Sequence, residues 1–376
     1  MKTIGLGIIG CGFMGKTHTY GVKTIPLFYD GLPFVPKLVG VCDSNLEAAQ
    51  RMKIQNDFSF CTDSIDELLA HKDIHAVTVS TPNLYHREHI EKALAAGKHV
   101  YCDKPLATDA RDARKLTQIM EKSGLVGQLA LQYRFFPAVM RAKQLIRDGD
   151  IGKLMSFRGA YLHSGSVDPT KPIGWKQDKS MGGGGVLFDL GSHILDLFYH
   201  LLGEYAEVFA KTRVVYPYRP DKNGAQIPIA ADDAAFILLK MPDGAVGSAE
   251  VSKVATGTND ELRFEIHGDK GAVRFNLMDP NWLDYYDNTI PEQPLGGSSG
   301  FTRIECVQRF EKPGGTFPNS KFSIGWLRGH VHCLYHFLDC VHRNTPASPG
   351  FADGAYVQRV MEKAYESDRD GRWIDL

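Results

Sequence analysis

No stretch of this chain reaches the roughly 18 consecutive apolar residues of a membrane-spanning helix, so no membrane partner is expected. Charge of one sign is missing as well. The 43 Lys and Arg are balanced by 44 Asp and Glu for a net charge of -1, which leaves no bulk field to gather nucleic acid or anionic lipid. The expected partner is therefore a small molecule. There is no CxxC pair. The seven cysteines (11, 42, 61, 102, 306, 333, 340) are odd in number and scattered, so a disulfide framework is not expected and a reducing compartment fits. Met1-Lys2 and the apolar run to Ile9 faintly resemble a secretion signal, but the run is short and no small-residue cleavage site follows it. It reads as a first strand, and the protein as cytoplasmic. Internal repeats and low-complexity tracts are absent.

What is present is ordinary globular material, 43% hydrophobic and 23% charged, over 376 residues. That length suits two domains. Up to about residue 130, apolar strand-like runs (Ile4 to Ile9, Lys37 to Cys42, Ala76 to Ser80, Lys98 to Cys102, Val126 to Gln132) alternate with helix-like stretches. Ser64-Ile65-Asp66-Glu67 is a capping pattern, Gly97 and Gly124 sit at helix ends, and Thr108 opens a helix. The alternation predicts an α/β Rossmann domain over 1–132 with a doubly wound parallel sheet. Pro26 to Pro36 reads as a loop inserted before the second strand. After Arg134 the strand patterns lengthen, and helices are expected at 186–202 and 329–343. An α+β domain with a large, mostly antiparallel open sheet is predicted over 133–376. The segment 288–325, rich in Pro, Gly and Ser, reads as an extended loop region.

Gly10-x-Gly12-x-x-Gly15 follows the first strand and precedes a helix. In that context Gly10 permits a tight turn, Gly12 (with Phe13 and Met14) lets backbone approach a pyrophosphate, and Gly15 lets helix and strand close together. Asp43 ends the second strand. Its carboxylate can accept from both adenosine ribose hydroxyls and would repel a 2′-phosphate, so NAD is expected over NADP. Crevice ligands lie beyond the carboxyl ends of such strands. This makes Ser80, Thr81, Pro82, Asn83 and His86 cofactor-lining candidates, together with Asp103, Lys104 and Gln132. A lysine there can also stabilise alkoxide charge. Further along, four glycines (182–185) precede Asp189 and His193, which at i and i+4 share a helix face and suit acid–base work.

Four stretches together resemble the glucose–fructose oxidoreductase, inositol dehydrogenase and rhizopine-catabolism (Gfo/Idh/MocA) oxidoreductases. They are GIIGCGFMG at the start, STPN-x-x-H at 80–86, DKP at 103–105 and GGGGVLFDLGSHILDL at 182–197. The resemblance covers essentially the whole chain. It implies hydride exchange between NAD and a secondary alcohol of a sugar, glycoside or cyclitol such as inositol. Lys104, Asp189 and His193 fall on the family's catalytic positions, with Arg134, Tyr161, Trp175 and His330 as pocket residues. The family usually has Glu where this chain has Asp103. It mostly needs no metal, so none is expected, although His332 and His336 at i,i+4 have zinc-compatible spacing. Alternatives within the resemblance are NAD-assisted glycoside cleavage and a non-catalytic NAD-binding regulator. Alternation at Phe236, Leu238 and Lys240 and at Val251 and Lys253 suggests a sheet face buried between subunits of a homodimer or homotetramer.

Overall fold

The computed structural model describes residues 1–311, 314 and 317–376. The chain divides into two compact units.

The first unit comprises Met1–Phe135, Phe310–Ser320 and Gly325–Gln358. Its elements run β1 (Lys2–Ile9), α1 (Phe13–Phe28), β2 (Phe34–Cys42), α2 (Leu46–Asn56), β3 (Phe60–Thr62), α3 (Ile65–Ala70), β4 (Ala76–Val79), α4 (His86–Ala95), β5 (His99–Cys102), α5 (Ala110–Ser123) and β6 (Gly127–Leu129). The six strands are all parallel, in the order β3-β2-β1-β4-β5-β6. The strand order reverses between β1 and β4, which opens a crevice beyond their carboxyl ends. Local chemistry sets the helix ends. Ser64 accepts from Glu67 N to cap α3, and Asp109 accepts from Asp112 N to cap α5, two residues into the expected start at Thr108.

Two expectations are corrected here. Pro26 to Pro36 is no inserted loop: Pro26 lies inside α1 and Pro36 inside β2, and only residues 29–33 connect them. The long spacing from Gly15 to Asp43 comes from a 16-residue helix and a nine-residue strand. The second correction concerns α9 (Trp326–Arg343), which starts three residues before the expected 329 and packs in this first unit. A parallel sheet must be covered on both faces. On one face Val331, Leu334, Phe337 and Leu338 of α9 join Val22 and Ile25 of α1 over Ile4, Leu6 and Ile8 of β1. On the other, Leu68, Ile90, Ala93, Leu116 and Met120 do the same. A single division at residue 132 would have assigned α9 to the sheet-rich domain.

The second unit comprises Phe136–Arg309, Lys321–Ile324 and Arg359–Leu376. It contains α6 (Pro137–Arg147), β7 (Leu154–Leu162), α7 (Lys179–Gly182), α8 (Ser192–Leu202), β8 (Glu207–Arg213), β9 (Tyr218–Pro220), β10 (Gln226–Pro228), β11 (Ala234–Lys240), β12 (Val246–Ser252), β13 (Glu261–Gly268), β14 (Gly271–Asn276), β15 (Trp282–Asp287) and β16 (Thr302–Glu305). Helix α10 (Phe351–Asp370) begins in the first unit and ends in this one, before β17 (Ile374–Asp375). The main sheet has the order β16-β15-β14-β13-β7-β12-β11-β8-β17, and β9 and β10 form a separate ribbon. The sheet is mostly antiparallel, as expected, with one exception: β7 and β12 pair parallel. Within 288–325 the structure adds β16 to the expected loop, and positions 312, 313, 315 and 316 of that region lie outside the described residues.

Helix α8 buries Ile194, Leu197 and Phe198 against the sheet, where Phe198 meets Phe157 edge-on at 4.8 Å. The opposite face leaves Phe236 and Leu238 exposed. Val251, expected beside them, pairs with Ala235 and is fully buried on the helix-covered side.

Candidate active site

In the first unit the glycine loop follows from β1 and β2 lying side by side. Gly10 has φ +99° and donates its N–H to Cys42 O at 2.8 Å. A Cβ there would stand 2.9 Å from the Ser80 carbonyl. At Gly15 a Cβ would stand 1.9 Å from Gly10 O, so helix and loop touch only because that carbon is missing. Gly12 is different, because on its Cβ side no atom lies within 4 Å. Helix α1 then starts with no side-chain cap and no acid in its first turn. Its first N–H groups and positive dipole end face this open side, an anion cradle. Phe13 is exposed and Met14 half-buried. These residues fit a dinucleotide pyrophosphate.

Asp43 braces the cradle from β2. Its Oδ2 accepts from Cys11 N at 2.7 Å and its Oδ1 from Asn45 N at 2.9 Å. A carboxylate has about four acceptor sites, so room remains for ribose hydroxyls. The Cys11 thiol beside it is pushed up to about 12, chiefly by burial and then by the Asp43 charge. It stays protonated and adds no second anion.

The loops after β4 and β5 are locked to each other. Ser80 Oγ donates to Ile9 O at 2.9 Å, and Thr81 Oγ1 lies 3.1 Å from His89 Nδ1. His86 is fully buried, with Nε2 2.9 Å from Thr81 O and Nδ1 2.9 Å from Pro105 O. It ties the segment carrying Pro82 and the buried Asn83 to the one carrying Asp103 and Lys104. Burial lowers its pKa against the raising influence of Asp103. Asp103 Oδ1 accepts from the Lys104 backbone N at 2.9 Å, and the Lys104–Pro105 peptide is cis. Gln132 and Arg134 are buried in the turn after β6, where Arg134 Nη2 sits 3.3 Å from Asp353 Oδ1.

The histidines of α9 have separate partners. His332 Nδ1 lies 2.6 Å from Tyr29 Oη, and His336 Nδ1 lies 2.9 Å from Gln128 Oε1. His332 and His336, despite their zinc-compatible spacing, thus make two different contacts, and among the described residues no group of three or more His, Cys, Asp and Glu is placed to hold a metal ion. His330 is buried against the Trp326 ring at 4.1 Å, and burial holds it well below the usual histidine range. His18 on α1 is likewise buried and lowered to about 4.

In the second unit the chain from Leu187 to Gly191 forms one π turn before α8. Such turns are frequent at functional sites. The four glycines let it approach its neighbours: a Cβ at Gly185 would stand 2.2 Å from Asp232 N. The buried Asp232 accepts from Gly185 N at 3.1 Å, Leu187 N at 2.9 Å and the Tyr365 hydroxyl. Asp189 emerges from this turn with its carboxylate against two ammonium groups, Lys176 at 2.8 Å and Lys253 at 2.9 Å. His193 is buried, with the Tyr161 ring edge-on at 5.7 Å. Tyr161 donates to Asp260 Oδ1 at 2.7 Å, and the same oxygen lies 2.8 Å from His163 Nε2. Trp175 is partly exposed one residue before Lys176.

Lys104, Arg134 and His330 thus belong to the first unit, and Tyr161, Trp175, Asp189 and His193 to the second. Sequence reasoning missed Lys253, Lys176, Asp232, His163 and Asp260. Lys253 and His163 are neighbours because β7 and β12 run parallel, so that His163 N donates to Ser252 O at 2.8 Å. No local pattern announces that pairing.

Comparison with known proteins gives a consistent picture. Residues 4–131 match the model of an oxidoreductase family with an NAD-binding Rossmann fold, and residues 139–274 match the GFO/IDH/MocA C-terminal domain. The chain is 31% identical to the levoglucosan dehydrogenase of Pseudarthrobacter phenanthrenivorans, over 100% of this chain and 99% of that protein. It is 30% identical to the inositol 2-dehydrogenase of Rhizobium meliloti, again over 100% of this chain and 99% of that protein. Among solved structures, levoglucosan dehydrogenase in complex with NADH and levoglucosan matches with a TM-score of 0.94 and 31% identity, covering 100% of this chain and 99% of that one.

Proposed function

The chain belongs to the Gfo/Idh/MocA family of NAD-binding oxidoreductases, and we propose that it oxidises a secondary alcohol of a neutral, polyhydroxylated sugar, glycoside or cyclitol. The supporting observation is the full-length likeness to a sugar dehydrogenase solved with NADH and its sugar, joined to a glycine cradle that is open at Gly12.

In this reading His193 takes the proton of the reacting hydroxyl. A neutral imidazole is the side chain suited to that near pH 7. Lys104 donates to the same oxygen and stabilises its developing negative charge. Asp189 accepts from a neighbouring hydroxyl and fixes the ring's orientation. The bound NAD supplies the hydride acceptor for the C–H bond of the same carbon. The products balance as carbonyl compound, NADH and one proton. Asp43 favours NAD over NADP, since a 2′-phosphate would meet its carboxylate.

The test is a panel of sugars, glycosides and cyclitols, levoglucosan and myo-inositol among them, followed at 340 nm. Wild-type protein should form NADH with at least one member. Lys104→Met should lower kcat by ~100-fold or more while NADH still binds, as read by its fluorescence. A silent panel, or a Lys104→Met variant as active as wild type, would refute the assignment.

A further inference from the structure

The two lysines on Asp189 are not equivalent. Lys253 follows β12 directly, and its backbone is fixed on both sides: its N–H donates to Asp233 O at 2.9 Å, and its carbonyl accepts from Ser166 N at 2.9 Å. Its side chain is 13% exposed, and its Nζ lies 2.9 Å from Asp189 Oδ2. Lys176 comes from a single 3-10 turn, Trp175–Gln177, and its side chain is 47% exposed. Its Nζ spans both carboxylate oxygens, at 2.8 and 3.0 Å. Removing one partner of a buried ion pair leaves a costly uncompensated charge. An exposed lysine in an ion pair contributes little and returns readily to water.

We propose that Lys253 is a positioning residue that holds and aims the Asp189 carboxylate, and that Lys176 occupies the place on Asp189 which a substrate hydroxyl takes. The hydroxyl exchanges with Lys176, and Lys253 stays. The ligand is a neutral polyol presenting a hydroxyl beside the carbon that reacts. A hydroxyl can donate to Asp189 in the room Lys176 leaves, and the displaced ammonium is hydrated again. This rests on the reading of Asp189 as a substrate-binding group, but not on the redox step.

The experiment is calorimetric titration of levoglucosan, D-glucose and myo-inositol into NADH-saturated protein, with turnover and melting curves measured alongside. For a sugar that binds wild type, Lys253→Met should weaken binding ~10-fold or more, the scale of a charged hydrogen bond. Lys253→Arg should restore most of it. Lys176→Met should bind as tightly as wild type or tighter. NADH affinity should be unchanged in all three. Unaltered sugar binding in Lys253→Met overturns the proposal. So does a loss in Lys176→Met equal to that in Lys253→Met, which would make Lys176 a direct ligand. Should Lys253→Met fail to fold, the Lys253→Arg and Lys176→Met pair decides alone, since the proposal needs the first near wild type and the second no weaker. Sugar binding that follows this pattern without any NADH formation would refute the dehydrogenase reading and leave the lysine exchange standing. No binding of any of the three sugars overturns the lysine exchange and leaves the dehydrogenase reading to the wider panel.

Discussion

Gly15 leaves no room for a methyl group, because its Cβ would sit 1.9 Å from the carbonyl of Gly10. Gly15→Ala must push α1 away from the loop. We expect NADH binding, measured by fluorescence titration, to weaken by on the order of tenfold or more; wild-type affinity would mean the loop relaxes freely. Gly12→Ala meets nothing in the protein, so it should keep its melting temperature and lose affinity only through the ligand. His18 carries a different signature. Burial lowers it from 6.5 to about 4, so between those values the unfolded chain binds a proton that the folded chain does not. Stability from this residue is complete above pH 6.5 and falls as pH drops toward 4, at about 1.4 kcal/mol per pH unit. His89, also lowered to about 4 by burial, adds to the same slope. Urea denaturation at pH 7.5, 6 and 5 should show the decline, and His18→Gln should make it shallower by up to about 1.4 kcal/mol per pH unit. A slope unchanged in that variant would mean that His18 is protonated in the folded protein.

Among the elements, the π turn at Leu187–Gly191 depends on a residue from another part of the chain. Asp232, two residues before β11 begins at Ala234, accepts from two backbone N–H groups and a tyrosine hydroxyl. Asp232→Ala would orphan all three, and we expect a loss of about 2–4 kcal/mol in denaturant unfolding. Asp232→Asn keeps an acceptor oxygen and should lose less. Equal losses for the two would mean that charge, not hydrogen bonding, holds the turn. The parallel pairing of β7 and β12 matters in the same way. It brings the carboxyl ends of both strands to one edge, so Tyr161 and His163 arrive beside Lys253. An all-antiparallel sheet would send one of these ends to the far side.

At the scale of the whole molecule, one sheet face exposes Phe236 at 52% and Leu238 at 40%. Isolated apolar residues on a surface need no explanation, but two on one strand face form a patch. A second copy of this chain is the cover expected from the sequence. Light scattering should give a dimer or tetramer, and Phe236→Asp with Leu238→Asp should shift it toward monomer. A wild-type monomer would refute this.

Much was legible without coordinates wherever the cause is local. The glycine loop, the Asp43 strand end, the Ser64 cap and the alternation at Phe236 and Leu238 are each fixed by neighbours within a few residues. The family likeness was legible for the same reason, since GIIGCGFMG, DKP and GGGGVLFDLGSHILDL are contiguous. What failed was non-local. The proline-flanked segment 26–36 looked like a loop because composition does not show that Pro26 falls where α1 tolerates it. Helix α9 was assigned to the wrong unit because which sheet an apolar stripe covers depends on chain path, not on the stripe. Val251 was placed on the wrong face because strand register, set against β7 and β11, decides facing. By itself, then, the sequence determined the cradle and the parallel α/β order, and it named candidates for the chemistry. Only the tertiary structure decided that Asp189 stands between two lysines, that Asp43 braces Cys11, and that His332 and His336 have separate partners. Those contacts join residues 13 to 303 positions apart, a distance over which no local pattern carries information.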